Sequence, residues 1–287
     1  MVAAMNFKQF TENKLSPSQK DRLKAVLEKL KLLEPSIKPA LQMRAGCELP
    51  HKILVGTHHK TGTVWLNNIF RTLCRFHSLT YFNGLQAELP NTYDVFIQDH
   101  TQFDLPALKD SYRGIHMVRD PRDVVLSGCF YHTKSQESWL HEPMDEYGGM
   151  TYQEKINTYS DPDEQILFEM ENSGRITIGE MLDWDYQNPN FLEVKYEDLI
   201  VDTELALFHE IFMFLGFPGS AIPSALTISF NKSLFSGKAK ASVHIRSGKA
   251  KQWEQRFTQK HKERFFELYG DGLIKMGYET NSDWVKA

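Results

Sequence analysis

The chain has 287 residues, a formal net charge of −4, 41 % hydrophobic and 24 % charged residues. That length suffices for one α/β domain with a large core, and no Pro-, Gly- or Ser-rich run divides it. The mildly acidic balance argues against a protein that lives on nucleic acid or an anionic membrane. No apolar run approaches the roughly 20 residues of a membrane span, and the N-terminal stretch MVAAMNFKQFTENK lacks the apolar core of a signal peptide. Cys47, Cys74 and Cys129 form no C-x-x-C pair and suit a reducing compartment. A soluble, cytoplasmic protein with a small partner is expected.

In chain order, Ser16-Pro17 opens a predicted helix whose Leu23, Leu27, Leu30 and Leu33 share one face until Glu34-Pro35 stops it. Residues 1–50 are read as a helical extension packed on a domain spanning 51–287. The stretch ILVGTHHKTGTVWLNNIF, Ile53 to Phe70, sets a buried strand, a polar loop and a helix back to back. Lys60, Thr61, Gly62 and Thr63 would present an ammonium, two hydroxyls and the free N–H groups of a helix start, which together make a phosphate cradle. Lys60 precedes Gly62, so this is not the G-x-x-x-x-G-K-[ST] loop of nucleotide triphosphatases.

A second buried strand is predicted over Asp94 to Gln98, delivering Asp99-His100 to the strand ends where open α/β sheets bind ligands. A third, Ile115 to Val118, runs into Arg119-Asp120-Pro121-Arg122-Asp123 and a helix. Residues 133–162, polar and carrying Gly148-Gly149, are read as a long mobile loop or lid. Helices follow over Asp163 to Met170 and Ile176 to Tyr186, then a strand over Phe191 to Tyr196, an apolar helix over Thr203 to Leu215 closed by Gly216, and a last helix from about Thr258 to Tyr269. Apolar strands alternating with helices predict a single α/β domain with a mostly parallel central sheet flanked by helices.

Four stretches carry a family resemblance. Lys-Thr-Gly-Thr-x-Trp resembles the 5′-phosphosulfate loop of sulfotransferases that use 3′-phosphoadenosine-5′-phosphosulfate (PAPS). Arg119 with Ser127, in RDPRDVVLS, matches the spacing with which that family holds the cofactor's 3′-phosphate, and an Arg at a strand end and a helix hydroxyl can converge on one dianion. RSGKAKQWEQRFT, Arg246 to Thr258, is similar to the family's late motif Arg-Lys-Gly-x-x-Gly-Asp-Trp followed by Phe-Thr, although Ser247, Lys251 and Gln252 replace Lys, Gly and Asp. VKYEDLIVD resembles the segment whose Tyr packs on adenine. The matches run from residue 53 to 258 in the family's order, and they lead us to identify the chain as resembling the cytosolic type of sulfotransferase.

The resemblance implies a P-loop-like fold with PAPS as cofactor, adenosine 3′,5′-bisphosphate as product and no metal. Lys60 would hold the 5′-phosphate and the bridging oxygen, with Thr61, Gly62, Thr63 and Val64 donating from the loop. Arg119, Ser127, Arg246 and the backbone at Ser247 and Gly248 would hold the 3′-phosphate. Trp65, Tyr196 and Ser229 would face the adenine. His100 is the natural general base, since imidazole titrates near neutral pH. It sits in Gln98-Asp99-His100 where relatives have Lys-Thr-His, so one cation is missing, and Asp99 either orients a histidine or faces away.

His58 and His59, beside the cradle, are candidates to meet acceptor or sulfate, and His132 is left open. Acidic residues in and after 133–162, among them Glu137, Glu164, Glu169 and Glu171, hint at a cationic acceptor and equally suit a solvated surface. The acceptor, a small molecule, and the oligomeric state stay open. Two other functions compete: a phosphotransferase using nucleotide triphosphate with Asp99 near magnesium, and a nucleotide-binding protein without transfer activity.

Overall fold

Five short segments pair into one sheet, and in the three central ones the backbone groups, buried on both faces, have no water to bond. The strands are β1 (Lys52–Thr57), β2 (Tyr81–Asn83), β3 (Val95–Asp99), β4 (Tyr112–Val118) and β5 (Phe191–Lys195). The computed structural model describes residues 46–237 and 248–286. The predicted helix from Ser16, and Arg246 and Ser247 of the late motif, lie outside the described residues.

All pairings are parallel and the spatial order is β2-β3-β1-β4-β5. The register aligns the strands' carboxyl ends, with Thr57 opposite Asp99, Gly56 opposite His116, and Val118 opposite Lys195. After β1 the chain passes to one side of it for β2 and β3, then crosses to the other side for β4 and β5. The strand order therefore reverses around β1, and the crevice at its carboxyl end is where such sheets bind ligands. The three-residue edge strand β2 had no apolar alternation to announce it.

Alternation along β1 splits the core. Ile53 and Val55 join Leu66, Ile69 and Phe70 of α1 (Thr63–His77) with Phe208 and Phe212 of α7 (Ala206–Phe214), while Leu54 packs with Phe96 and Phe191. A second apolar cluster gathers α2 (Pro121–His132), α4 (Pro162–Glu171), α5 (Ser173–Asp183) and α9 (Gln259–Tyr269) around Val125, Met170, Ile178 and Phe265.

The segment 133–162 differs from the irregular loop expected there. It holds turns of 3-10 helix at Ser138–His141 and Asp145–Tyr147, a bridge between Pro143 and Thr151, and α3 (Tyr152–Asn157), opened by a capping box between Thr151 and Glu154. Leu140, Tyr152 and Ile156 are buried and tie it to the second cluster. Tyr196, read as the end of a strand, instead begins the short helix α6 (Tyr196–Leu199), and Thr227 to Phe230 lie inside α8 (Ile222–Lys232). Among the described residues no helix is long and apolar enough to cross a membrane.

Candidate active site

Four of the predicted residues follow the carboxyl ends of adjacent strands: Lys60 after β1, His100 after β3, Arg119 after β4 and Tyr196 after β5. Lys60 (φ 65°), His100 (φ 72°) and Thr101 (φ 51°) all hold left-handed backbone conformations that non-glycine residues seldom adopt. Such strain costs on the order of 1–3 kcal/mol per residue and gathers where function requires it.

The loop between β1 and α1 closes on itself. The Thr61 hydroxyl donates to the His58 carbonyl at 2.8 Å and accepts from the His58 N–H at 2.9 Å, and the Thr61 N–H bonds the same carbonyl at 3.0 Å. Thr61 is fully buried, with its hydroxyl and its N–H both engaged within the loop. Gly62, at φ 118°, caps α1, and a Cβ there would lie 2.8 Å from Met117 Cε and 3.3 Å from the Tyr196 ring. The N–H groups of Gly62, Thr63 and Val64 at the helix start remain for an anion. Lys60 Nζ stands 3.5 Å over the Tyr131 ring, and burial pushes its ammonium down to about 8, with Arg119 acting in the same direction and Glu137 against it.

Arg119 links the loop to the far strand. It is buried, its Nη1 donates to the Lys60 carbonyl at 3.1 Å, and its guanidinium lies 4.6 Å over the Tyr196 ring. Tyr196 in turn meets Trp65 edge to face, with centroids 6.2 Å apart. The rest of RDPRD is structural: Asp120 caps α2 and clamps Arg122 through Nε at 2.9 Å and Nη2 at 2.8 Å, and Arg122 stacks 3.6 Å over Trp253. The late motif docks on the same helix through the Trp253 N–H to Asp123, 3.0 Å. Ser127 lies on α2, half-buried, and Ser229 on α8, fully buried. Gly248 follows the undescribed stretch with φ 60°.

His100 is paired with a residue that its own sequence neighbourhood does not reveal. Its Nδ1 lies 2.8 Å from Glu180 Oε2 on α5, and the carboxylate fixes the proton on Nδ1 and leaves Nε2 as the acceptor. The hydrogen bond to Glu180 raises the imidazole above its ordinary value, against the pull of burial. Burial works to raise Glu180, but His100 and then His58 prevail and hold its carboxyl down at about 2. The His100 side chain is 42 % exposed, so an acceptor can reach it.

Asp99 does not orient the imidazole. Its Oδ1 accepts from the Thr63 hydroxyl at 3.1 Å and from the His100 N–H at 3.2 Å, joining the β1–α1 loop to the His100 backbone. Gln98 is buried, with Oε1 unpartnered among the described residues.

The remaining histidines divide. His58 is fully buried, bonded at 2.8 Å to His116, which bonds Glu193 at 2.6 Å, so His58 does not meet a ligand. His59 bonds His132 at 2.9 Å, and His132 bonds Glu169 at 2.8 Å. Several acidic residues of the supposed cation site are engaged by other side chains: Glu169 here, Glu137 on Tyr131 and Trp139, and, at the surface, Glu164 on Lys260 and Glu171 on Arg264.

A reversing parallel sheet, a phosphate cradle at its switch point, and an arginine and a carboxylate-backed histidine at the neighbouring strand ends define a group-transfer enzyme of the P-loop-like class. The family model for the sulfotransferase domain matches residues 50–277, and the chain belongs to that family. Mouse sulfotransferase SULT7A1, solved complexed with PAP, shares the fold with a TM-score of 0.50 and 16 % identity over 86 % of this chain and 91 % of that one. Among curated protein sequences none matches.

Proposed function

We propose that this chain transfers the sulfuryl group of PAPS to a hydroxyl or amine of a small-molecule acceptor in the cytoplasm. PAPS, when bound, supplies the activated sulfuryl group and departs as adenosine 3′,5′-bisphosphate. Lys60 and the N–H groups of Gly62, Thr63 and Val64 hold the 5′-phosphate, with Thr61 bracing the loop. Arg119 and Ser127 hold the 3′-phosphate together with Gly248 and with Arg246 and Ser247, which lie outside the described residues. Trp65, Tyr196 and Ser229 take the adenine. His100 accepts the acceptor's proton at Nε2 while Glu180 holds the ring and stabilises the imidazolium. Lys60 and the loop amides supply the charge that the leaving phosphate needs, so the scheme uses no metal.

The observation that carries this reading is where unpartnered polar atoms fall. Eight buried side-chain polar atoms lack a hydrogen-bond partner among the described residues, and Trp65 Nε1, Arg119 Nε and Ser229 Oγ are three of them. Each such atom costs about 1–3 kcal/mol. Three on residues that the sequence motifs assign to one nucleotide fit a ligand with several acceptors.

Calorimetric titration with adenosine 3′,5′-bisphosphate, AMP and ATP, with and without magnesium, tests it. Clear preference for the bisphosphate without magnesium is expected. Equal or tighter binding of ATP that depends on magnesium would overturn the 3′-phosphate site and favour a phosphotransferase.

A further inference from the structure

The parallel register sets His116 of β4 opposite Glu193 of β5, so their side chains leave the same face of the sheet. The Glu193 carboxylate takes two donors, Trp184 Nε1 at 2.8 Å on one oxygen and His116 Nδ1 at 2.6 Å on the other. An ionised carboxylate only accepts, so His116 carries its proton on Nδ1 and offers a lone pair at Nε2. His58 Nε2 lies 2.8 Å from that lone pair and must donate to it. Both rings are fully buried, and burial holds the His58 imidazolium down at about 4, so at neutral pH His58 has no second proton and its Nδ1 is bare.

That bare nitrogen faces another acceptor. His58 Nδ1 stands 3.5 Å from Glu180 Oε2, the same oxygen that His100 Nδ1 approaches to 2.8 Å. A proton between nitrogen and carboxylate would draw them to about 2.7–2.9 Å. The wider gap is the separation two acceptors keep, and His58 Nδ1 is indeed without a hydrogen-bond partner among the described residues. Glu180's other oxygen accepts from Gln102 Nε2 at 3.0 Å. One oxygen therefore has two imidazole nitrogens beside it and receives a proton from His100 alone. Asp99 is the further acidic group that bears on His100, while His116, Glu180 and His100 bear on His58.

We propose that Glu193, His116 and His58 are positioning residues for His100: through two fixed tautomers, the charge of Glu193 keeps His58 from donating to Glu180, so that Glu180 serves His100 alone. A His58 of the opposite tautomer would hydrogen-bond Glu180, satisfy part of its charge and loosen its hold on His100. A carboxylate on β5 thereby sets the proton affinity of an imidazole that follows β3, with β4 and β1 between them. The inference rests on the reading of His100 as the base, but its test reads protons rather than turnover, so either can fail without the other.

Long-range proton–nitrogen NMR at neutral pH, with a titration of His100, in the wild type, Glu193→Gln and Trp184→Phe tests it. In the wild type, His58 should carry a proton only on Nε2 and His116 only on Nδ1. In Glu193→Gln the amide oxygen stays on Trp184, which can only donate, and the NH2 group turns to His116 Nδ1 and reverses both tautomers. His58 then donates to Glu180, and the proton affinity of His100 should fall about tenfold, the worth of one hydrogen bond. Trp184→Phe removes a neighbour of Glu193 but leaves its charge, so both tautomers and the His100 titration should match the wild type. A wild-type proton on His58 Nδ1, or a doubly protonated His116, would overturn the proposal, and this arm decides by itself should a variant fail to fold. An unmoved His100 in Glu193→Gln would overturn it too, as would an equal fall in both variants, which is what a packing role alone would give.

Discussion

Lys60 and His100 occupy equivalent places, each just past the end of a neighbouring parallel strand and each at positive φ, yet the protein tunes them in opposite directions. Burial drives the Lys60 ammonium down, and what it rests on is an aromatic face rather than a carboxylate. Glu180 drives the His100 imidazole up through a direct hydrogen bond. A cation held short of counter-charge is completed by an anion arriving from outside, whereas a base with its own carboxylate is complete before anything binds. On the proposed function, one half of the site serves the ligand and the other the proton.

Breaking the base should have the largest effect. His100→Ala is expected to lower PAPS turnover about 10³-fold while bisphosphate affinity, read by calorimetry, holds. Full activity in that variant would sink the assignment of the base.

Breaking the cation should separate activity from stability. Lys60→Met should lower turnover about 10²-fold and raise Tm at pH 7 by roughly 2–4 °C, because methionine removes a buried charge. The sign follows from linkage. With a folded value of about 8 against about 10.4 in the unfolded chain, the unfolded state binds more protons between those limits. Wild-type stability therefore rises with pH across that window, and the gain from Lys60→Met should shrink as pH climbs through it in thermal melts.

Removing the orienting carboxylate should cost less. Glu180→Gln keeps an acceptor for His100 Nδ1 but removes the charge, a loss of about 10–100-fold in turnover for one charge-assisted bond. The acid limb of its pH profile should move to lower pH, since burial then outweighs the remaining upward pull of Asp99 on the imidazole.

The two halves also differed in how far the sequence disclosed them. The cradle is contiguous, and its Thr61-to-His58 bonds close over three residues, so the order Lys60-Thr61-Gly62-Thr63 after an apolar strand carries its own geometry. Arg119 and His100 were readable because each directly follows a buried strand. Glu180 lies 80 residues from His100 and Glu169 lies 37 from His132, and nothing local in α4 or α5 marks either carboxylate as paired. The polar stretch 133–162 misled for a related reason. Its order comes from Leu140, Tyr152 and Ile156 reaching a distant core, which composition does not show.

The most direct test of the paired tuning is an NMR titration of the His100 imidazole in the wild type and in Glu180→Gln. A wild-type pKa above the ordinary 6.5 that falls below it in the variant is the predicted result. A wild-type value at or below 6.5, or one that Glu180→Gln leaves unmoved, would contradict the assignment of Glu180 as the group that makes His100 a base.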